Sequence, residues 1–110
     1  MPITNNILYI GENAIRFMNE MISSGVLDEI RKIDGVLKYE YFISREDENV
    51  VLLVDSFTNQ EALDNYHRSS VMKKVIEIRN KYDLKMEVKK YSEIDSTTTD
   101  LKYIIRWYYE

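Results

Sequence analysis

Val50-Val51-Leu52-Leu53-Val54-Asp55-Ser56-Phe57 is the stretch from which the architecture follows. A run of β-branched and large apolar residues of this length reads as a strand, whose side chains alternate between two faces. Val51, Leu53, Asp55 and Phe57 share one face; Val50, Leu52, Val54 and Ser56 share the other. Both faces are apolar at their centres. A sheet covered by helices on one side shows a wet second face, so two dry faces require two covers. Helices supply one, and a second copy of the sheet is an economical source of the other. The strand therefore predicts a homodimer joined through the sheet face.

Residues 36 to 44 precede this strand and also alternate. Leu37, Tyr39, Tyr41 and Ile43 point one way; Val36, Lys38, Glu40 and Phe42 point the other. The charged turn Arg45-Glu46-Asp47-Glu48-Asn49 joins the two strands as an antiparallel hairpin. Further upstream, residues 6 to 10 form a short apolar strand before Gly11. Ile15, Met18, Ile22, Val26, Ile30 and Ile33 then recur at helical spacing as one stripe. Ser23-Ser24-Gly25 predicts a kink or break in that helix, and Asp34-Gly35 closes it, with Gly35 suited to the left-handed C′ position.

Downstream, Thr58 is the expected N-cap of a second helix, because Glu61 stands three residues later as in a capping box. Leu63, Tyr66, His67, Ser70, Val71, Val75 and Ile78 form its stripe, and Ser69-Ser70 marks a local irregularity. Residues 85 to 92 alternate again, with Met86, Val88 and Lys90 on one face. The order β-α-β-β-α-β predicts a ferredoxin-like α+β fold, an antiparallel sheet with helices on one face. The expected domain is 1–94, followed by an extension over 95–110. In that extension Ser96-Thr97-Thr98-Thr99 reads as a polar linker. From Leu101 on, both a helical stripe and strand alternation fit the apolar residues, and the aromatics Tyr103, Trp107, Tyr108 and Tyr109 favour a strand. So much apolar surface is expected to dock on its own sheet or the partner's.

The bulk composition removes several function classes. A net charge of −4 supplies no positive field for a phosphate backbone. The basic group Lys73, Lys74, Arg79 and Lys81 reads as a solvated helix face. No cysteine is present, which excludes thiolate metal sites, disulfides and cysteine nucleophiles. The N-terminal residues lack the pattern of a signal peptide, and no apolar run can span a bilayer. A cytoplasmic protein without membrane or nucleic-acid partners is expected. Gly-rich phosphate loops, Gly-x-Ser-x-Gly elbows and His-Glu-x-x-His pairs are absent from the sequence.

Gly35-Val36-Leu37-Lys38-Tyr39-Glu40-Tyr41-Phe42, followed by Val51 through Ser70, resembles the antibiotic biosynthesis monooxygenase superfamily. These dimeric α+β-barrel proteins include the quinol monooxygenases. The shared cadence is Gly35, Asp55 and Phe57 at the end of the third strand, Glu61-Ala62-Leu63, His67 and Ser70. Gly11 followed by Phe17 is similar to the opening of the family's first helix. The likeness extends over roughly residues 6 to 92. The family commonly has Glu and Trp where Asp55 and Phe57 stand here. Haem-degrading members have an axial His further along the second helix and a Trp on the third strand. This chain has neither, so haem degradation is not expected. The resemblance implies an oxidoreductase that needs no cofactor: a monooxygenase acting on a small aromatic hydroquinone or polyketide-like substrate. The family's other implication is a non-catalytic small-ligand or stress-associated binding domain, because fold does not decide function.

His67 is the only histidine. Histidine is the side chain whose unperturbed pKa lies near neutrality, which suits a catalytic base or orienting group; the plainer alternative is a histidine lining the helix–sheet interface. A lone His among scattered carboxylates has no metal-ligand spacing. Tyr39 and Tyr41 are candidates to hydrogen-bond a quinone-like oxygen, and Phe57 and Tyr66 are candidates for the wall of a pocket for an apolar or aromatic ligand. Asp55 belongs either at an edge near solvent or, with a raised pKa, inside the pocket. The edge is the expectation, with Arg16 or Arg68 as a candidate partner.

Overall fold

The computed structural model describes residues 1–104. The strands are β1 Ile3–Ile10, β2 Val36–Ile43, β3 Val50–Phe57 and β4 Lys85–Ser92; the helices are α1 Ala14–Ser23, α2 Val26–Arg31, α3 Gln60–His67, α4 Ser70–Asn80 and α5 Thr98–Leu101. The four strands form one antiparallel sheet in the order β2-β3-β1-β4, which is the expected ferredoxin-like α+β arrangement. β3 and β1 lie at the centre. Val51, Leu53, Asp55 and Phe57 are buried, while Val50, Leu52, Val54 and Ser56 are half-buried on the other face. The register sets Ile3, Asn5, Ile7 and Tyr9 opposite Phe57, Asp55, Leu53 and Val51, so one row of each strand faces the core with Phe17, Met21 and Ile30.

β1 starts at Ile3, earlier than its apolar run. Asn5 and Asn6 have poor strand propensity, but Asn5 and the adjacent Thr4 bond across to β3. Thr4 Oγ1 lies 2.7 Å from Ser56 Oγ, and Asn5 Nδ2 donates to Asp55 Oδ1 at 2.9 Å. Tertiary pairing overrides the local preference.

The first helical stretch is two helices. Gly25, at φ +83, takes the left-handed position after α1 and begins α2. The break resets the helical phase. The buried faces are Ala14, Phe17, Met18 and Met21 on α1, then Val26, Leu27 and Ile30 on α2. Ile22, which the single stripe places inside, is exposed. Gly35 does not cap a helix either, since α2 ends at Arg31 with Lys32 as its C-cap. It holds φ +87, and a Cβ there would stand 2.7 Å from the Ala62 Cβ. Its carbonyl accepts from the Thr58 N–H at 3.0 Å. The glycine lets β2 begin directly beneath α3.

α3 is capped one residue later than expected. Asn59, in extended backbone, accepts the Ala62 N–H through its side chain at 2.9 Å. Ser69 separates α3 from α4, and its hydroxyl donates to the Tyr66 carbonyl at 2.6 Å, the competition that makes serine a helix breaker. On β2 a bulge falls between Val36 and Lys38. It turns Leu37 outward, away from the row holding Tyr39 and Tyr41. Beyond β4, Thr97 and Asp100 form a reciprocal capping box on α5, which buries none of its residues. Leu101 ends that helix, and residues 105–110, which carry most of the ambiguous aromatic tail, lie outside the described residues. Among the described residues no helix is long and apolar enough to cross a membrane.

Gly35→Ala combines left-handed strain with a steric clash, a loss on the order of 2–4 kcal/mol. Gly25→Ala keeps only the strain, because nothing lies within 4 Å of its would-be Cβ, a loss of about 1–2 kcal/mol. Urea unfolding of both variants measures the difference; equal losses would remove the close-approach argument at Gly35.

Candidate active site

The helices pack mainly over β2 and β3, and the edge strand β4 contacts chiefly β1. A cleft opens where the helical layer meets the β1–β4 side of the sheet. It encloses a cavity of about 290 Å³. Asn5, Ile7 and Tyr9 of β1 line its floor because alternation puts them on one face. Met86, Val88 and Lys90 of β4 continue that floor, as their spacing predicts. Leu63, Tyr66 and His67 of α3 and Met72, Val75 and Arg79 of α4 form the roof. Tyr39 and Asp55 reach in from β2 and β3.

Asp55 is not at an edge. β3 is central, so the row shared with Val51 and Leu53 passes under the helices, and Asp55 is only 2% exposed. Burial raises its pKa to about 6, against the opposing effect of the hydrogen bond from Asn5. Its side-chain partner is Asn5 rather than Arg16 or Arg68; Arg68 donates to Asn65 instead.

The Tyr39 and Tyr66 hydroxyls are 3.0 Å apart. Desolvation pushes the Tyr66 phenol up to about 12, and it raises Tyr39 and Tyr9 further. All three phenols are therefore neutral hydrogen-bonding groups near pH 7. His67, the last residue of α3, is exposed and stands at the mouth of the cavity, its ring 5.6 Å from that of Tyr66. Lys90 closes another part of the rim by donating to Gln60 Oε1 at 2.8 Å.

The structure thus brings His67, Tyr39, Asp55 and Tyr66 to one cavity and leaves Tyr41 and Phe57 out of its lining. Phe57 is fully buried and stacks against Tyr66, with centroids 5.7 Å apart. It supports the wall from behind. Tyr41 lies instead beside Met18, Ile22 and Leu27 near the β2 edge, and its buried hydroxyl has no hydrogen-bond partner among the described residues. Both share the helix-facing side of the sheet with cavity residues. Helix placement, rather than alternation, divides them.

Asn5, Tyr9 and Arg79 are cavity residues not singled out for the site in the sequence. Asn5 becomes visible once β1 is extended to Ile3, since it then faces Asp55 across the strands. Arg79 belongs to the group read as a solvated basic face, yet it is half-buried and donates to Met86 Sδ at 3.3 Å. Its signal is its spacing four residues after Val75, on the flank of the buried stripe. Among the described residues no group of three or more His, Cys, Asp or Glu side chains is placed to hold a metal ion.

Fold and cavity together define a ferredoxin-like α+β protein with a ligand-sized cleft between sheet and helices. The sequence model described as antibiotic biosynthesis monooxygenase matches residues 19–78, more than half of the chain, and the chain belongs to that family. Comparison with curated proteins returns no match. Among solved structures, SnoaB from Streptomyces nogalater, described as a cofactor-independent oxygenase, superposes with a TM-score of 0.73 at 9% identity, covering 88% of this chain and 97% of that one. A candidate antibiotic biosynthesis monooxygenase from Deinococcus radiodurans gives 0.71 at 13% identity, with coverages of 89% and 97%. A conserved protein from Methanosarcina mazei gives 0.72 at 18% identity, with coverages of 86% and 94%. Identities this low show a shared fold.

The elevated Asp55 pKa has a consequence for stability. The folded state keeps its proton up to about pH 6, whereas the carboxyl's ordinary value is 3.8. The folded state thus binds more protons than the unfolded state between those values. Its stabilising share is full below the ordinary value and is lost as pH rises through 6. The loss is on the order of 2 kcal/mol. Asp55→Asn retains the shape and the Asn5 contact. Its stability relative to wild type should rise by that amount between about pH 4 and pH 8, measured by denaturant unfolding. A constant difference would mean that Asp55 is not buried as a titrating acid.

Proposed function

We propose that this chain is a cofactor-independent monooxygenase that oxidises a small aromatic hydroxy compound, such as a hydroquinone, with O2. One observation carries the reading: an aromatic-walled cavity of about 290 Å³ containing a buried carboxyl group. Family membership is consistent with it. The volume is at the small end for ligand pockets, which favours one or two fused rings over a larger polyketide-like skeleton.

In such a reaction a protein group accepts the substrate's hydroxyl proton. The resulting anion passes one electron to O2, and the radical pair combines at a ring carbon as a peroxide, which takes the proton back from the protein group. Loss of water, with the ring C–H proton, leaves the quinone. The protein's share is to remove a proton, exclude bulk water and hold the ring. Tyr9, Tyr39 and Tyr66 supply neutral donors for the developing anion, and His67 orients the substrate at the mouth.

Oxygen consumption by metal-free protein across a panel of hydroquinones and naphthols tests the activity. The expected result is one O2 consumed per quinone formed, with His67→Ala raising KM several-fold at unchanged folding. Unaltered kinetics in that variant would remove His67 from the site. Thermal stabilisation by the same compounds without O2 uptake would replace the oxygenase with a small-ligand binding domain.

The same reading makes the protein a homodimer through the sheet face. The outer face presents half-buried Leu8, Leu52 and Val54 beside Phe42, which is 44% exposed. Such a patch is the expected signature of a protein interface. The extension beyond β4 is proposed to pack on one of the two sheets. Sedimentation should give close to twice the 13.2 kDa chain mass, with Leu52→Glu shifting it to monomer. A wild-type protein that stays monomeric at micromolar concentration would overturn the dimer.

A further inference from the structure

We infer that Asp55, held in place by Asn5, is the proton acceptor of the cavity, and that the site takes acidic hydroxyaromatics bound as anions with Arg79 as counter-charge. This rests on the reading of the cavity as the ligand site, and it assigns the base to a buried carboxylate instead of the rim histidine.

The geometry favours Asp55 over His67. A general base must stand within hydrogen-bond reach of the proton it removes. Asp55 lies in the cavity wall, almost wholly shielded from water. Asn5 holds the carboxyl, its Nδ2 donating to Oδ1 and its backbone N–H also acting on the group, and no other side chain hydrogen-bonds it among the described residues. His67 is exposed at the mouth of the cavity, where bulk water competes for contact with its ring.

The surroundings suit an anion beside a protonated Asp55. The titratable groups lining the cavity with it are Tyr9 of β1, Tyr39 of β2, Tyr66 and His67 of α3, Arg79 of α4 and Lys90 of β4. Burial keeps the three phenols protonated. The Tyr9 and Tyr66 hydroxyls feel both charges of the site: Arg79 lowers their pKa values and Asp55 raises them. A ligand oxygen beside those hydroxyls is under the same two influences. Lys90 is exposed and engaged with Gln60, so Arg79 is the half-buried cation of the cavity.

The transfer breaks the substrate O–H bond and forms an O–H bond on Asp55. The negative charge moves from Asp55 to the substrate oxygen, where Arg79 and the phenols stabilise it. Net charge in the site is unchanged. The carboxyl value of about 6 leaves Asp55 ionised and receptive near neutral pH, yet basic enough to accept a proton from an acidic phenol.

The same end state is reached when a ligand arrives already ionised, because Asp55 must then take its proton from solvent. The probe is 2-hydroxy-1,4-naphthoquinone, an anion at about pH 7.5, titrated into the full chain by calorimetry in two buffers of different ionisation enthalpy. Wild-type protein should take up close to one proton per ligand bound. His67→Ala should bind more weakly with the same uptake. Asp55→Asn should bind with no uptake, and Arg79→Gln should lose about tenfold or more in affinity. Uptake that survives in Asp55→Asn, vanishes in His67→Ala or is absent in wild type would overturn the assignment, as would failure of the probe to bind. Proton uptake without any O2 consumption by natural-type substrates would remove the oxygenase and leave Asp55 as the acceptor of a binding site.

Discussion

Everything in this molecule depends on burying β3 from one side while leaving its other side apolar. The inward row, Val51, Leu53, Asp55 and Phe57, forms the sheet's contribution to the core. The outward row, with Val50, Leu52 and Val54, is only half-covered in the single chain. A hydrophobic strand of this kind is stable only where both faces leave water. The helices meet the first need, and β1 pairs along the full length of β3 to fix its register. The second need is what makes a partner sheet physically reasonable.

That central position also explains the chemistry. Any polar residue on the inward row of β3 is desolvated by the same helices that cover Leu53 and Phe57. Asp55 is such a residue, and Asn5 stands directly opposite it on β1. A buried carboxyl in an apolar setting holds its proton more tightly than one in water. The cost to stability coincides with a cavity, a common pattern where function asks for a group in a shifted protonation equilibrium. Tyr66, backed by Phe57 and bonded to Tyr39, then gives the cavity a rigid aromatic wall.

The architecture was legible because periodicity is local. Alternation in residues 36 to 44, 50 to 57 and 85 to 92 and the helical recurrence after Glu12 and Thr58 lead directly to the element order. Two of the misreadings, in β1 and at Gly35, depended on a neighbour remote in sequence, and two, at Ile22 and at the α3 cap, on the local path of the backbone. Asn5-Asn6 is a poor strand start until Asp55 pairs with Asn5. Ile22 is a reasonable core residue until Gly25 resets the helix. Gly35 resembles a helix stop, yet it answers to Ala62 in the helix above. Thr58 and Asn59 are both acceptable caps, and the extended backbone at Asn59 selects between them.

By itself the sequence determined the alternation of β3, hence a sheet with two apolar faces, and it singled out Tyr39, Asp55, Tyr66 and His67 as candidate site residues on two strands and a helix. Side-chain period is a property of backbone geometry and needs no tertiary information. Only the tertiary structure decided which of those residues share a cavity. The helices shelter the β2–β3 side and leave a cleft along β1 and β4, so Tyr41 and Phe57 fall outside it while Asn5, Tyr9 and Arg79 fall within. Protonation follows the same division: a carboxyl's identity is written in the chain, whereas its pKa depends on how completely the fold removes water from around it.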